Sequence, residues 1–98
     1  MPGQDPRTEA RMPLIVPVEL KSVTPPPITE SSCIQNVSSG GARAITQRVW
    51  QPGTRVQITA LHSDFRAQAV VVYWRSFSSS KFAIGLKFLS TAGRWAEP

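Results

Sequence analysis

Two short stretches of the sequence carry polar side chains at a spacing that suits the binding of an anion. The first is "RTEAR", with Arg7 and Arg11 four positions apart, and the second is "NVSSGG", with Asn36, Ser38 and Gly41. The planar fork of an arginine matches phosphates and the O6/N7 edge of guanine. An amide supplies a donor and an acceptor together, and a hydroxyl can act as either. These residue types therefore indicate ligand binding, provided that the fold brings the two stretches together.

Each stretch also has a simpler explanation. "RTEAR" is compatible with a solvated basic tail, because a chain with eight arginines contains such a pair by chance. "NVSSGG" consists of good turn formers: Asn36 and Ser38 can bond to local backbone, and Gly41 can adopt positive φ. Neither stretch decides the function by itself.

Length and charge limit the possible classes of protein. A chain of 98 residues with 41% hydrophobic residues suits one small domain. The net charge is +5, with eight arginines among eleven cations, which weakly favours an anionic partner. No apolar run is long enough to span a bilayer, and "MPGQDPRTEAR" has no apolar secretory segment. We expect a cytoplasmic protein without membrane insertion.

Residues typical of metal sites and catalysis are scarce. Cys33 and His62 are the only cysteine and histidine, so we expect neither a disulfide nor a metal site, and Cys33 is predicted to be a small buried apolar residue. The adjacent His62, Ser63 and Asp64 lie in a predicted turn, where neighbouring side chains diverge, which argues against a triad. We expect no catalytic residues and no cofactor.

Alternating apolar residues predict six short strands and no long helix. The inward sets are Val16, Val18 and Leu20; Val56, Ile58 and Ala60; and Phe82, Ile84, Leu86 and Phe88. "TPPPITE" (24–30) and "SFSSS" are predicted loops, and "QPGT" has the type II turn signature. Six such strands should close into a small antiparallel barrel, an all-β fold. We expect residues 1–13 to form a flexible arm and residues 14–98 to form the barrel, with possibly one helical turn in "STAGRWAEP".

The order of these features resembles the PilZ domain, a bacterial receptor domain for cyclic di-GMP. Its hallmark is RxxxR followed some 20 to 30 residues later by [D/N]xSxxG, which corresponds here to Arg7, Arg11, Asn36, Ser38 and Gly41. The resemblance covers residues 7–89 and includes the strand–turn–strand "NVSSGGARA" and the closing hairpin "AVVVYWRS" with "FAIGLKFL", which carry the family's usual tryptophan and glycine.

The resemblance implies a non-enzymatic receptor for cyclic di-GMP. Arg7 and Arg11 would close over the phosphates and bases, Asn36 and Ser38 would bind a guanine from the barrel, and Gly41 would keep a Cβ away from the ligand. The ordered arm would then signal to a partner protein. We expect no binding to DNA, and we expect Trp74 to pack in the core.

Two other functions are compatible with the same barrel. A PilZ-like domain can act as a protein-interaction module without binding a nucleotide. A small barrel can also bind single-stranded nucleic acid through exposed aromatic side chains. The predicted interior position of Phe82 and Phe88 leaves a poor platform for the latter.

Overall fold

A computed structural model describes residues 15–38 and 40–93 of the chain. Within these ranges there are six strands and no helix, as the alternation predicts. They are β1 (Val16–Ser22), β2 (Thr29–Gln35), β3 (Gly41–Thr46), β4 (Arg55–Ala60), β5 (Arg66–Ser78) and β6 (Lys81–Ala92). The predicted all-β class is thereby confirmed.

The strands form a closed antiparallel barrel in the order β1-β2-β3-β6-β5-β4. The barrel closes where β1 pairs with β4, with Val18 opposite Ala60 and Ser22 opposite Val56. β3 pairs with β6 rather than with β4, the next strand in the sequence. This pairing places the β2–β3 loop beside the β5–β6 hairpin. Closure pairs the backbone N–H and C=O groups that the edge strands of an open sheet would expose.

The core is formed by the inward positions of the alternating strands. Val18, Leu20, Val56 and Ile58 are fully buried, and Phe65 joins them from the connection before β5. These predicted inward faces are confirmed. In β6 the prediction holds for the two middle positions, because Ile84 and Leu86 are buried while Phe82 and Phe88 are half-buried.

Three predicted boundaries are wrong by a few residues. The proline loop ends at Ile28 rather than Glu30, because Ser22 Oγ accepts a hydrogen bond from Ile28 N at 2.9 Å and Thr29 already pairs with Lys21. The predicted "SFSSS" loop is largely strand, since Ser78 pairs with Lys81. β6 continues to Ala92, so a helical turn cannot include residues 90–92. Residues 94–98 lie outside the described part of the chain.

The expected core position of Trp74 is also wrong. Trp74 is 41% exposed and makes an edge-to-face contact with Phe82, with ring centroids 5.6 Å apart. The tryptophan in the core is Trp50, which is 4% exposed and donates from Nε1 to Glu30 Oε1 at 2.9 Å. β4 pairs with β5 only as far as Val70. Beyond that point β5 has no β4 residue opposite it, while β6 still pairs with β3, and Trp74 in this part of β5 is left uncovered.

Other local predictions have mixed outcomes. The turn at "QPGT" is confirmed, because Gly53 has φ of 91° and Thr54 N donates to Gln51 O at 3.1 Å. Cys33 is half-buried rather than buried. No helix in the described ranges is long and apolar enough to cross a membrane.

Candidate functional site

The loop between β2 and β3 is held in shape by its own polar groups. Asn36 has φ of 53°, in the left-handed region that asparagine tolerates better than most residues. Ser38 N donates to Gly41 O at 2.9 Å, and the Ser38 hydroxyl lies 3.3 Å from the same oxygen. Gly40 N donates to Ser38 Oγ at 3.3 Å. The stretch "NVSSGG" thus forms a turn, as its residue types predict, and Asn36 is exposed to solvent in it.

Gly41 is required by the approach of β6. A Cβ at this position would lie 2.2 Å from the carbonyl oxygen of Leu86. Gly41 does not use the positive φ that a glycine can adopt, and among the described residues of this loop it is Asn36 that has a positive φ. The predicted role of Gly41 in sparing a ligand stays a prediction. The close approach of the β3 and β6 backbones is a separate physical reason for a glycine at this position.

Asn36, Ser38 and Gly41 line one open depression on the outer surface of the barrel. Its volume is about 340 Å³. Arg43 and Tyr73 line it as well, and the remaining lining residues are Ala42, Val72, Gly85 and Leu86. The fold therefore brings the loop residues next to a cation from β3 and an aromatic ring from β5.

These additional residues lie in one row across four strands. Gln35 in β2 is opposite Arg43 in β3, Arg43 is opposite Gly85 in β6, and Gly85 is opposite Tyr73 in β5. Side chains opposite one another in a sheet share a face. Three residues of this row, Arg43, Gly85 and Tyr73, line the depression, with Arg43 and Tyr73 on either side of Gly85.

Tyr73 occupies the space that Gly85 leaves free. A Cβ on Gly85 would lie 2.1 Å from Tyr73 Cε2, so the ring lies flat over the glycine. The guanidinium carbon of Arg75 is 5.2 Å from the ring centroid, a cation–π distance. Tyr73 remains 38% exposed. Its ring therefore packs against Gly85 and Arg75 and remains partly exposed to solvent.

The depression is electropositive at its lining. Arg43 is part of it, and Lys87 is opposite Gly41 in the β3–β6 pairing. Within residues 15–38 and 40–93, no carboxylate lines it. Such a surface favours an anionic ligand.

Two of the five predicted site residues cannot be placed. Arg7 and Arg11 lie outside the described residues, as does the whole of the predicted arm. The other three, Asn36, Ser38 and Gly41, are brought together as expected from their spacing. Whether any of the five contacts a ligand stays a prediction.

Sequence reasoning missed Arg43 and Tyr73. Arg43 follows Gly41 by two positions, and the period of two in a strand could have placed both on the same face. Tyr73 gave no such signal. A bulge skips Val72, since Val71 pairs with Leu86 and Tyr73 with Gly85. Simple alternation would place Tyr73 with the buried Val71.

The other groups that could suggest chemistry do not form a site. Ser63 Oγ accepts a hydrogen bond from Phe65 N at 3.4 Å, which is a local turn contact. His62 and Asp64 are exposed in the same turn. No group of three or more metal-binding side chains occurs among the residues that the structure describes.

Comparison with known proteins identifies one family. The model of one family, the PilZ domain, matches residues 5–94. No curated protein matches the chain. The family match covers the arginine pair, the β2–β3 loop and all six strands.

Proposed function

The chain belongs to the PilZ domain family, and on that premise we propose that it is a receptor for cyclic di-GMP that orders its N-terminal arm on the ligand and signals to a partner protein. The PilZ domain is known as a cyclic di-GMP-binding module and is not a catalytic family. The proposal includes a bacterial, cytoplasmic setting, because this is where such a second messenger acts.

One observation supports the proposal most. Asn36, Ser38 and Gly41, which match the family's loop motif, line the same depression on the outside of the barrel. Asn36 is exposed there and its amide can donate and accept toward a guanine edge. The Ser38 hydroxyl is partly used in closing its own loop. We therefore assign Asn36 the main contact with the base and Ser38 the role of holding the loop in shape.

The arginine pair completes the proposed site. Cyclic di-GMP presents two phosphates and two guanines, and each guanidinium can bind a phosphate, bind guanine O6 and N7, or stack on a base. Arg7 and Arg11 would close over the ligand from the side opposite to the barrel. Ordering the arm costs conformational entropy, which the added contacts must exceed.

Titration calorimetry tests the binding. The full chain is titrated with cyclic di-GMP beside Arg7→Ala, Arg11→Ala and the control Arg66→Ala, which changes an exposed arginine outside the depression. We expect binding by the unmodified chain and the control, and at least about tenfold weaker binding by the other two. Absence of heat from the unmodified chain at ~100 μM ligand would refute the proposal.

Hydrogen exchange tests the ordering of the arm. Amides of residues 1–13 should exchange more slowly with saturating cyclic di-GMP than without it, because exchange reports local opening. The same measurement on Arg7→Ala should show a smaller change. Equal exchange in both states of the unmodified chain would exclude arm ordering while leaving binding itself intact.

A second candidate function is a protein-interaction module without nucleotide binding. The C-terminal half of β5 favours it, because Val72, Trp74 and Phe77 are each about half-exposed, at 48%, 41% and 51%. Exposed apolar side chains of this size are typical of contact surfaces when they lie together. This candidate predicts a folded chain, by circular dichroism, whose spectrum and melting temperature do not change with cyclic di-GMP.

A further inference from the structure

Arg43 has a donor that nothing in the described chain satisfies. Its Nη2 donates to Gln35 Oε1 at 2.9 Å, but its Nε is buried without a hydrogen-bond partner. A buried donor without an acceptor costs free energy, so the fold leaves part of the hydrogen-bonding capacity of Arg43 unused. Nε itself is covered by the protein, so a ligand must reach the guanidinium from the depression that Arg43 lines.

The surroundings of Arg43 suit an anion in particular. The strand neighbour on its β2 side is the neutral Gln35, and the neighbour on its β6 side is Gly85, which has no side chain. The only ion pair found between described residues joins Arg48 and Glu30, away from the depression. Among the residues that the structure describes, none forms an ion pair with Arg43 beside the loop of Asn36 and Ser38.

We propose that Arg43 binds a phosphate of the cyclic dinucleotide and is the arginine of the site that the barrel itself contributes. The inference rests on the proposed function and adds a contact to it. A guanidinium that is held by Gln35 through Nη2 loses less rotational freedom on binding than one on an exposed side chain. Arg43 thus supplies a fixed positive charge, whereas Arg7 and Arg11 must be brought to the ligand by the arm.

The test compares three arginine variants by calorimetry with cyclic di-GMP. Arg43→Ala should weaken binding by about tenfold or more, since hydrogen bonds to charged groups are the strong ones. Arg43→Lys should fall between Arg43→Ala and the unmodified chain, because lysine keeps a charge that a phosphate accepts. Arg66→Ala should bind as the unmodified chain does.

The salt dependence separates a phosphate contact from a structural role. The slope of log Kd against log salt concentration should be smaller in Arg43→Ala than in the unmodified chain, because salt screens the attraction between a guanidinium and a phosphate. A residue that only supports the loop would leave the slope unchanged. Where Arg43→Ala lowers the melting temperature, a folded Arg43→Gln variant decides, because glutamine removes the charge and keeps a side chain that can hydrogen-bond Gln35. Its slope should be smaller than that of the unmodified chain, and an unchanged slope would contradict the phosphate contact.

Several outcomes would overturn the inference. Binding by Arg43→Ala within twofold of the unmodified chain removes it. Arg43→Lys as weak as Arg43→Ala, with a lost preference for cyclic di-GMP over cyclic di-AMP, would assign Arg43 to the guanine edge instead. If the unmodified chain does not bind, the proposed function fails first. If it binds and Arg43→Ala binds equally, only the inference fails.

Discussion

The ring of Tyr73 fills the volume above Gly85 that any other residue would occupy with its own side chain. This arrangement compensates the sheet for the missing side chain, because aromatic rings across from glycine restore apolar contact. It also fixes one wall of the depression, since both residues line it.

The glycines around the site should differ in their tolerance of alanine. In Gly41→Ala the new methyl meets the backbone of Leu86 at 2.2 Å, which cannot move without separating β3 from β6. We expect a loss of roughly 3 kcal/mol in the free energy of unfolding. In Gly85→Ala the methyl meets the Tyr73 ring, which can rotate outward, and the loss should be about 1 kcal/mol.

Gly40→Ala is the matched control for both variants, because a Cβ at Gly40 has no atom within 4 Å. Urea denaturation of the three variants measures the order. Equal midpoints for Gly40→Ala and Gly41→Ala would contradict the assigned contact with Leu86.

Substitutions of Asn36 should separate folding from binding. Its φ of 53° is costly for alanine and free of cost for glycine. Asn36→Ala should lose about 1 kcal/mol of stability, whereas Asn36→Gly should melt near the unmodified chain. If the amide contacts guanine, Asn36→Gly should nevertheless bind cyclic di-GMP some two- to tenfold more weakly. Thermal denaturation and calorimetry on the same samples measure both quantities, and unchanged affinity would remove Asn36 from the site.

Glu30 should matter for stability through its contact with Trp50. The indole Nε1–H of the buried Trp50 donates to Glu30 Oε1. Glu30→Ala removes that acceptor and should cost about 1–3 kcal/mol, while Glu30→Gln keeps an amide oxygen and should cost less. Glu19→Ala, at an exposed position of β1, is the control and should lie within about 0.5 kcal/mol of the unmodified chain. A Glu30→Ala variant as stable as this control would contradict the importance of the bond.

Truncation of the two described tryptophans to alanine should lower the free energy of unfolding by very different amounts. Trp50→Ala empties a buried position and should cost about 3–5 kcal/mol. Trp74→Ala removes an exposed ring whose ring contact is with Phe82, and we expect less than about 1 kcal/mol. Chemical denaturation measures both losses. Comparable losses would mean that the hairpin is covered in solution.

Quenching of fluorescence by acrylamide checks the same contrast without unfolding the protein. The part of the emission that is lost in Trp74→Phe should be quenched more readily than the emission of Trp50, because Trp74 is accessible to solvent. The emission lost in Trp50→Phe should be protected. A protected Trp74 would place a covering surface over the hairpin.

The sequence by itself determined the six strands, their inward faces and the loop motif. Alternation in β1 and β4 depends on neighbouring positions only, so Val18 and Ile58 could be assigned to the core without knowing the pairing. The spacing of Asn36, Ser38 and Gly41 likewise lies within one short loop. The strand count and the closed barrel followed because six short strands without a helix have few other ways to protect their edges.

Only the tertiary structure decided what surrounds that loop. Arg43 lies opposite Gly85 in the β3–β6 pairing, and Gly85 lies opposite Tyr73 in the β5–β6 pairing. The bulge at Val72 turns Tyr73 outward, and the early end of the β4 pairing leaves Trp74 exposed. Register and strand ends are set by the packing of the whole barrel, which a local pattern does not contain.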